Sequence, residues 1–322
     1  MIKLYPLKFK PILKERIWGG NALNYKSDNV SSTDKIGESW ELSGVDGSVS
    51  VIANGPLKGK SLVEILKTYN EDLLGVTNYK RFGEEFPLLI KFIDAKESLS
   101  VQLHPDDTIA RAKHGCMGKT EMWYIMQAKG DAFIIADFKG EISKQDYIKL
   151  VENNTLKEAL KYVNVKPGDF YFIAPGLIHA IGEGVMLAEI QQTSDITYRI
   201  YDWDRVDDQG NSRELHQQEA LDAIDFSSKE PKVEYQQNKN IPNEVVYNTH
   251  FKTDYLPVHK NCSLDFSEKD SFNILINTGP DAKLICDGKS YDFKSQETYL
   301  LPAVISDIEL KVDKGEFLLV HI

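Results

Sequence analysis

Apolar residues along this chain come in short runs rich in Val, Ile, Phe and Tyr, each bounded by Gly, Pro, Asn or Asp. That pattern predicts strands rather than long helices, and a mainly β fold class. Two stretches depart from it, with apolar residues at helical spacing. One spans 60–74, with Leu62, Ile65, Leu66, Tyr69 and Leu73; the other spans 143–162, with Tyr147, Ile148, Val151, Leu156 and Leu160. They predict short amphipathic helical insertions near 60–75 and 143–162. A polar stretch over 227–243, almost without apolar residues, predicts a connector.

The chain also resembles itself. Asp131-Ala-Phe-Ile-Ile-Ala-Asp137 aligns with Asp281-Ala-Lys-Leu-Ile-Cys-Asp287 at an offset of 150 residues. Gly168-Asp-Phe-Tyr-Phe-Ile-Ala-Pro175 aligns with Ser295-Gln-Glu-Thr-Tyr-Leu-Leu-Pro302 at an offset of 127. The simplest account is two related β-barrels, the first carrying a helical insertion; chance likeness between hairpins is the alternative. The expected division is a first domain over 1–240 and a second over 241–322. The aligned copies differ where chemistry could reside: His179 falls on Ser306, and Glu121 on Ser271. A site is therefore expected in the first barrel, with the second free of metal.

Charge narrows the function. With 38 Lys and Arg against 49 Asp and Glu, the net charge of −11 argues against a nucleic-acid binder, whose affinity rests on clustered basic residues. The 42% hydrophobic and 27% charged shares are those of an ordinary soluble protein. Three widely spaced cysteines without a CxxC pair fit reduced thiols and a cytoplasmic location. No long apolar run follows Lys8 and Lys10, so neither a signal peptide nor a membrane association is expected.

Four polar residues fall where strand periodicity lets them converge. Gln102 and His104 alternate onto one face of Leu99-Ser-Val-Gln-Leu-His, and Lys119 and Glu121 share a face of the next strand-like run. His179 follows the turn Pro175-Gly-Leu-Ile, which would set its imidazole at a barrel mouth. Two imidazoles, a carboxylate and an amide oxygen suit a divalent metal, zinc first. The two histidines and the carboxylate alone also suit non-haem iron, which keeps an oxygenase in view. A lone buried histidine is more often a hydrogen-bonded core residue; the argument for ligation is the convergence of all four. His114 and Cys116 lie in a Gly- and Lys-rich stretch expected to be a loop and are read as non-ligands. His216, His250, His259 and His321 are expected to be surface or packing residues. Lys119, Arg199 and Arg205 put positive charge into an acidic protein and suggest an anionic substrate. The alternative is that each pairs with a nearby acid such as Asp202 or Asp204.

Several segments in this order resemble a known family: Arg16-Ile-Trp-Gly-Gly20, Gly37-Glu-Ser-Trp-Glu-Leu-Ser43, Pro87-Leu-Leu-Ile-Lys-Phe-Ile-Asp-Ala95, Ser100-Val-Gln-Leu-His-Pro-Asp106, Gly118-Lys-Thr-Glu121 and Pro175-Gly-Leu-Ile-His-Ala180. The family is the type I mannose-6-phosphate isomerases, in their short bacterial form, with a strong likeness over about residues 1–225 and a weaker one beyond. The resemblance implies two cupin (jelly-roll) barrels and one zinc ion per chain. It places Gln102, His104, Glu121 and His179 on the zinc ligands and Arg199 on the catalytic arginine. Ser100, Lys119 and Arg205 then look like substrate or phosphate contacts. The implied reaction interconverts mannose 6-phosphate and fructose 6-phosphate through a cis-enediol. Glu189 is the expected base, with Lys119 or zinc-bound hydroxide as competitors. The implied partner is the sugar phosphate alone, with no obligate protein partner. A non-catalytic sugar-phosphate-binding cupin and an iron-dependent cupin dioxygenase are the alternatives.

Overall fold

The structure is a computed structural model that describes residues 2–27, 29–206, 209–227 and 229–322. Its first strands are β1 (Leu7–Lys8), β2 (Ile12–Gly20), β3 (Ile36–Leu42), β4 (Leu88–Asp94), β5 (Val101–Leu103), β6 (Glu121–Ala128) and β7 (Phe133–Phe138). There follow β8 (Leu160–Asn164), β9 (Phe170–Ile173), β10 (His179–Ile181), β11 (Val185–Gln192), β12 (Tyr198–Tyr201), β13 (Lys232–Val233) and β14 (Asn243–Tyr247). The last are β15 (Lys252–His259), β16 (Cys262–Asp265), β17 (Asn273–Asn277), β18 (Ala282–Cys286), β19 (Lys289–Phe293), β20 (Thr298–Leu301), β21 (Asp307–Lys311) and β22 (Lys314–His321). The chain is mainly β, as its short apolar runs predict.

Two compact units form. The first contains Met1–Ile12, Trp40–Ile90 and Val233–Ile322; the second contains Leu13–Ser39 and Lys91–Lys232. Neither is continuous in sequence, so a single cut near residue 240 describes only one of their junctions. Strand order repeats between them. In the second unit's larger sheet the run β9-β6-β11-β4-β3 matches β20-β17-β22-β15-β14 in the first. In the smaller sheets β5-β10-β7-β8 matches β16-β21-β18-β19. The segments aligned at offsets of 150 and 127 residues form β7 with β18, and β9 with β20. Nine strands thus share one order, which is how a cupin jelly roll buries alternate residues between two sheets.

Each unit closes on its own core. In the second, Ile93, Trp123, Ile125, Tyr171 and Leu187 of the larger sheet meet Ile134, Ala136 and Ile181 of the smaller. In the first, Leu256, Leu275, Phe317 and Leu319 meet Leu264, Leu284 and Leu310.

The helices differ from expectation in their ends. The 60–74 stretch forms α1 (Leu62–Tyr69) and α2 (Glu71–Leu74), separated at Asn70, whose φ of 46° interrupts the helix. Ser61 and Glu64 form a capping box at its start. The α3 helix (Val76–Phe82) follows without a sequence expectation. The α4 helix (Asp107–His114) includes His114, which was expected in a loop; Asp106 caps it by accepting from the Ile109 amide. The 143–162 stretch gives α5 (Lys144–Glu152) and α6 (Leu156–Ala159), and its last residues enter β8 instead. The last helix, α7 (Gln217–Ala223), carries the fully buried Ala220.

Candidate functional site

Three side chains of the second unit converge at strand ends. Glu121 opens β6, His179 opens β10, and His104 follows β5 directly. Pairing brings them together: His179 faces Gln102 across β10 and β5, and Glu121 faces Gln191 across β6 and β11. Two glycines make the approach possible. Gly176, at φ 79°, turns the chain toward His179, and a Cβ there would lie 2.6 Å from the Ala223 carbonyl. At Gly118 a Cβ would meet the Asp106 carbonyl carbon at 2.5 Å, so only glycine lets the strand leading to Glu121 pass α4 so closely.

The ligand atoms of His104, Glu121 and His179 all lie within 4.8 Å of one another. His104 Nε2 is 3.2 Å from Glu121 Oε1, and His179 Nε2 is 4.0 Å from Glu121 Oε2. Each imidazole is aimed by its other nitrogen: Nδ1 of His104 donates to the Ile196 carbonyl and Nδ1 of His179 to the Leu177 carbonyl, both at 2.9 Å. That tautomer leaves both Nε2 lone pairs facing the carboxylate, as metal-binding histidines require. His104 Nε2 and Glu121 Oε1 are buried without a directed hydrogen bond. An unpaired Nε2 lone pair facing a carboxylate is costly in a core and fits a cation held between them. Gln102 stands against the group with its amide nitrogen 3.5 Å from His179 Nε2, and Ser100 Oγ donates to its oxygen at 3.3 Å.

Charge supports the arrangement from below. Lys119 Nζ lies 3.1 Å from Glu121 Oε1. Glu189 sits opposite Trp123 in the β6–β11 register, two residues farther along the barrel than Glu121. Trp123 Nε1 donates to both carboxylates, at 3.1 Å to Glu121 and 3.0 Å to Glu189. Lys91 closes the network with hydrogen bonds of 2.9 Å to Glu189 and 2.5 Å to Gln191. Nothing in the sequence argument singled out Lys91 or Trp123. The available signal was one lysine inside the apolar run Leu88-Leu-Ile-Lys-Phe-Ile93, since a buried charge requires a partner.

Protonation follows from these contacts. Burial, with Lys119 second, pulls His104 down to about 3, against the attraction of Glu121. Burial also lowers His179, opposed by Glu121. Burial alone would raise Glu121, but Lys119 and His104 hold it well below the carboxylate range. Glu189 is raised by burial and then by Glu121. In the metal-free protein the shifts of His104, His179 and Glu121 have one sign, opposite to that of Glu189. An unfolded chain takes up protons on His104 below about 6.5 and on Glu121 below about 4.5, where the folded chain does not. The stability contributed by His104 is therefore fully present above pH 6.5 and lost as pH falls toward 3, with Glu189 opposing it in part. The unfolding free energy of chelator-treated protein, measured by urea titration, should drop between pH 7 and pH 5 by on the order of 2 kcal/mol from His104 alone; an unchanged value would place the imidazoles in water.

The remaining candidates lie around this group. Arg199 on β12 faces Gln102 across β5 and donates through Nε to Ser100 Oγ at 3.3 Å. Tyr198 and Ile200 point the other way, into the core, as the alternation predicts. Arg205 is bound to Asp202, at 2.8 Å to the carboxylate, which is the pairing weighed against a substrate role. Arg213, not singled out from the sequence, holds the same carboxylate at 2.6 and 2.7 Å. His114 bonds the Tyr198 hydroxyl at 2.8 Å, and Cys116 lies 4.0 Å from the Ser194 hydroxyl. Neither joins the three-residue group.

Comparison with known proteins decides the family. "Mannose-6-phosphate isomerase ManA" of Bacillus subtilis is 35% identical over 312 residues, 95% of this chain and 96% of its own length. The chain belongs to the type I phosphomannose isomerase family. Residues 6–147 match the sequence family described as phosphomannose isomerase type I, catalytic domain. "Mannose-6-phosphate isomerase" of Streptococcus mutans is 40% identical over 219 residues, 68% of this chain and 67% of its own length. The crystal structure of the mannose 6-phosphate isomerase from Bacillus subtilis aligns with a TM-score of 0.87 at 31% identity, covering 98% of this chain and 99% of that one. Family membership makes this chain an enzyme of the isomerase class. Among the described residues no helix is long and apolar enough to cross a membrane.

Proposed function

We propose that this chain is a zinc-dependent aldose–ketose isomerase that interconverts mannose 6-phosphate and fructose 6-phosphate through a cis-enediol. The observation that carries this reading is the buried His104, Glu121 and His179 group, with both Nε2 atoms turned inward, in a chain 35% identical to ManA. His104, His179 and Glu121 are the residues that would hold the ion, one per chain, and Gln102 would join them with its amide turned so that its oxygen leaves Ser100 for the ion. When bound, zinc would supply a Lewis acid for the oxygens on C1 and C2 of the open-chain sugar.

The other side chains divide the work. Arg199, tethered to Ser100, brings fixed positive charge to the oxygens where enediolate charge develops. Ser100 and Arg205 are assigned to the substrate and its phosphate, whose binding holds C1 and C2 in register. The proton leaves C2 and returns to C1 on a carrier. Glu189, first choice from the sequence, is buried with both oxygens engaged, by Lys91 and by Trp123. It therefore acts on Glu121 through Trp123 and is a positioning residue. Lys119, at the Glu121 end of the barrel, is the carrier we assign. The three cysteines carry free thiols, in keeping with a cytoplasmic setting.

A coupled assay of mannose 6-phosphate conversion, run with and without chelator and with metal analysis, tests the reading. Turnover should vanish with chelator and return with zinc, and Lys119→Met should cost about 100-fold or more in kcat with metal retained. Turnover that survives full metal removal would exclude the metal, and iron in the purified protein would favour the oxygenase.

A further inference from the structure

We propose that His216 is a positioning residue that fixes Arg199 through its backbone, and this inference rests on the isomerase reading above. β12 is the edge strand of its sheet, ordered β12-β5-β10-β7-β8. An edge strand presents main-chain groups with no strand to receive them. The Arg199 amide donates to His216 Nδ1 at 3.1 Å, and the Arg199 carbonyl accepts from the His216 amide at 2.8 Å. Both main-chain groups of Arg199 are thus turned away from β5 and taken by one residue. Arg199 and Gln102 then form a non-hydrogen-bonded cross-strand pair, the kind in which side chains stand closest. The β12–β5 register shifts just past this point, between Arg199 and Tyr201, so the ladder alone does not hold the arginine.

His216 is itself well anchored. It occupies the N-cap position of α7, and its carbonyl accepts from the Ala220 amide at 2.9 Å. Ser, Thr, Asp or Asn normally fill that position and cap the helix with the side chain. Here the imidazole makes no capping bond. A residue that gives up the local stabilising role to bind elsewhere marks a functional demand. The same segment also touches the guanidinium, since the Glu214 carbonyl accepts from Arg199 Nη1 at 3.0 Å. Ser100 on one side and residues 214–216 on the other therefore set both ends of the arginine. Because the amide is a donor only, His216 Nδ1 must be the unprotonated nitrogen. Asparagine offers an oxygen at nearly the same position and should replace it.

The test compares His216→Ala and His216→Asn in the full chain, by isomerase kinetics, metal content and hydrogen exchange of the peptide containing Arg199. His216→Ala should lower kcat roughly 10- to 100-fold, the cost of a small misplacement of a catalytic group, with KM within about threefold and metal unchanged. Exchange protection at Arg199 should fall in the same variant. His216→Asn should restore protection and bring kcat to within about threefold of the parent. Unchanged protection in His216→Ala overturns the clasp. Lost protection with unchanged kcat overturns its link to the reaction, and so does a kcat loss that asparagine does not repair. A parent chain with no isomerase turnover overturns the functional reading instead, and exchange protection then decides the clasp on its own.

Discussion

Replacing His104 or His179 by alanine is expected to remove bound metal and isomerase turnover together. Each imidazole is neutral at pH 7, because burial holds its pKa below the ordinary value. Each is also aimed by a carbonyl at 2.9 Å, so neither loses orientational entropy on binding an ion. Loss of an outer partner of a ligand typically costs about 10- to 100-fold in metal affinity, and loss of the ligand itself should exceed that. Alanine at 104 also leaves Glu121 Oε1 facing Lys119 alone, a closed ion pair with less reason to take up a cation. Elemental analysis and turnover on the same preparation provide the check. The two variants should fall at least about 100-fold in activity and carry metal well below one per chain. Parent-level turnover in a metal-free His104→Ala preparation would remove the ion from the reaction.

The convergence behind this expectation was only half legible in the sequence. Alternation along β5 and β6 sets Gln102 beside His104 and Lys119 beside Glu121, because strand side chains repeat every two residues. Which strands pair is a long-range fact. His179 meets Gln102 only through the register of β10 on β5, and no local pattern states that. The sequence repeat does not supply it, since its aligned segments form β7, β18, β9 and β20; the shared order of β5-β10-β7-β8 and β16-β21-β18-β19 is visible only in the fold. Boundaries were the weakest part. The short helices α3, α4 and α7 leave little periodicity to detect, and the two units interleave along the chain.

The support beneath the candidate ligands was hidden for a different reason. Lys91, Glu189 and Gln191 were each visible, but a buried ion pair depends on which inner faces meet. Removing one partner of such a pair leaves an uncompensated charge in the core, so the network is fixed as a unit. Its geometric effect reaches Glu121 through the two hydrogen bonds from Trp123. The carboxylate is thereby held at Oε2 by the barrel interior, while Oε1 faces His104 Nε2 and Lys119 Nζ.

Arg199→Ala should retain metal while kcat falls by about 100-fold or more, the loss expected when a charge stabiliser is deleted. Arg199 makes no hydrogen bond to His104, Glu121 or His179. It reaches the ligand group only through Ser100, whose hydroxyl bonds both the guanidinium and the Gln102 oxygen at 3.3 Å. No ligand atom of His104, Glu121 or His179 depends on it, so metal affinity should stay near that of the parent. On the proposed isomerase reading, positive charge at Arg199 would matter most as enediolate charge develops, so kcat should carry the loss and KM should move little. Arg199→Lys should rescue only part, because an ammonium cannot bond Ser100 and the Glu214 carbonyl in the planar geometry of the guanidinium. Steady-state kinetics with metal analysis separates the outcomes. An unchanged kcat would make Arg199 a brace for β12, and a loss of metal in step with activity would make it a support for Gln102.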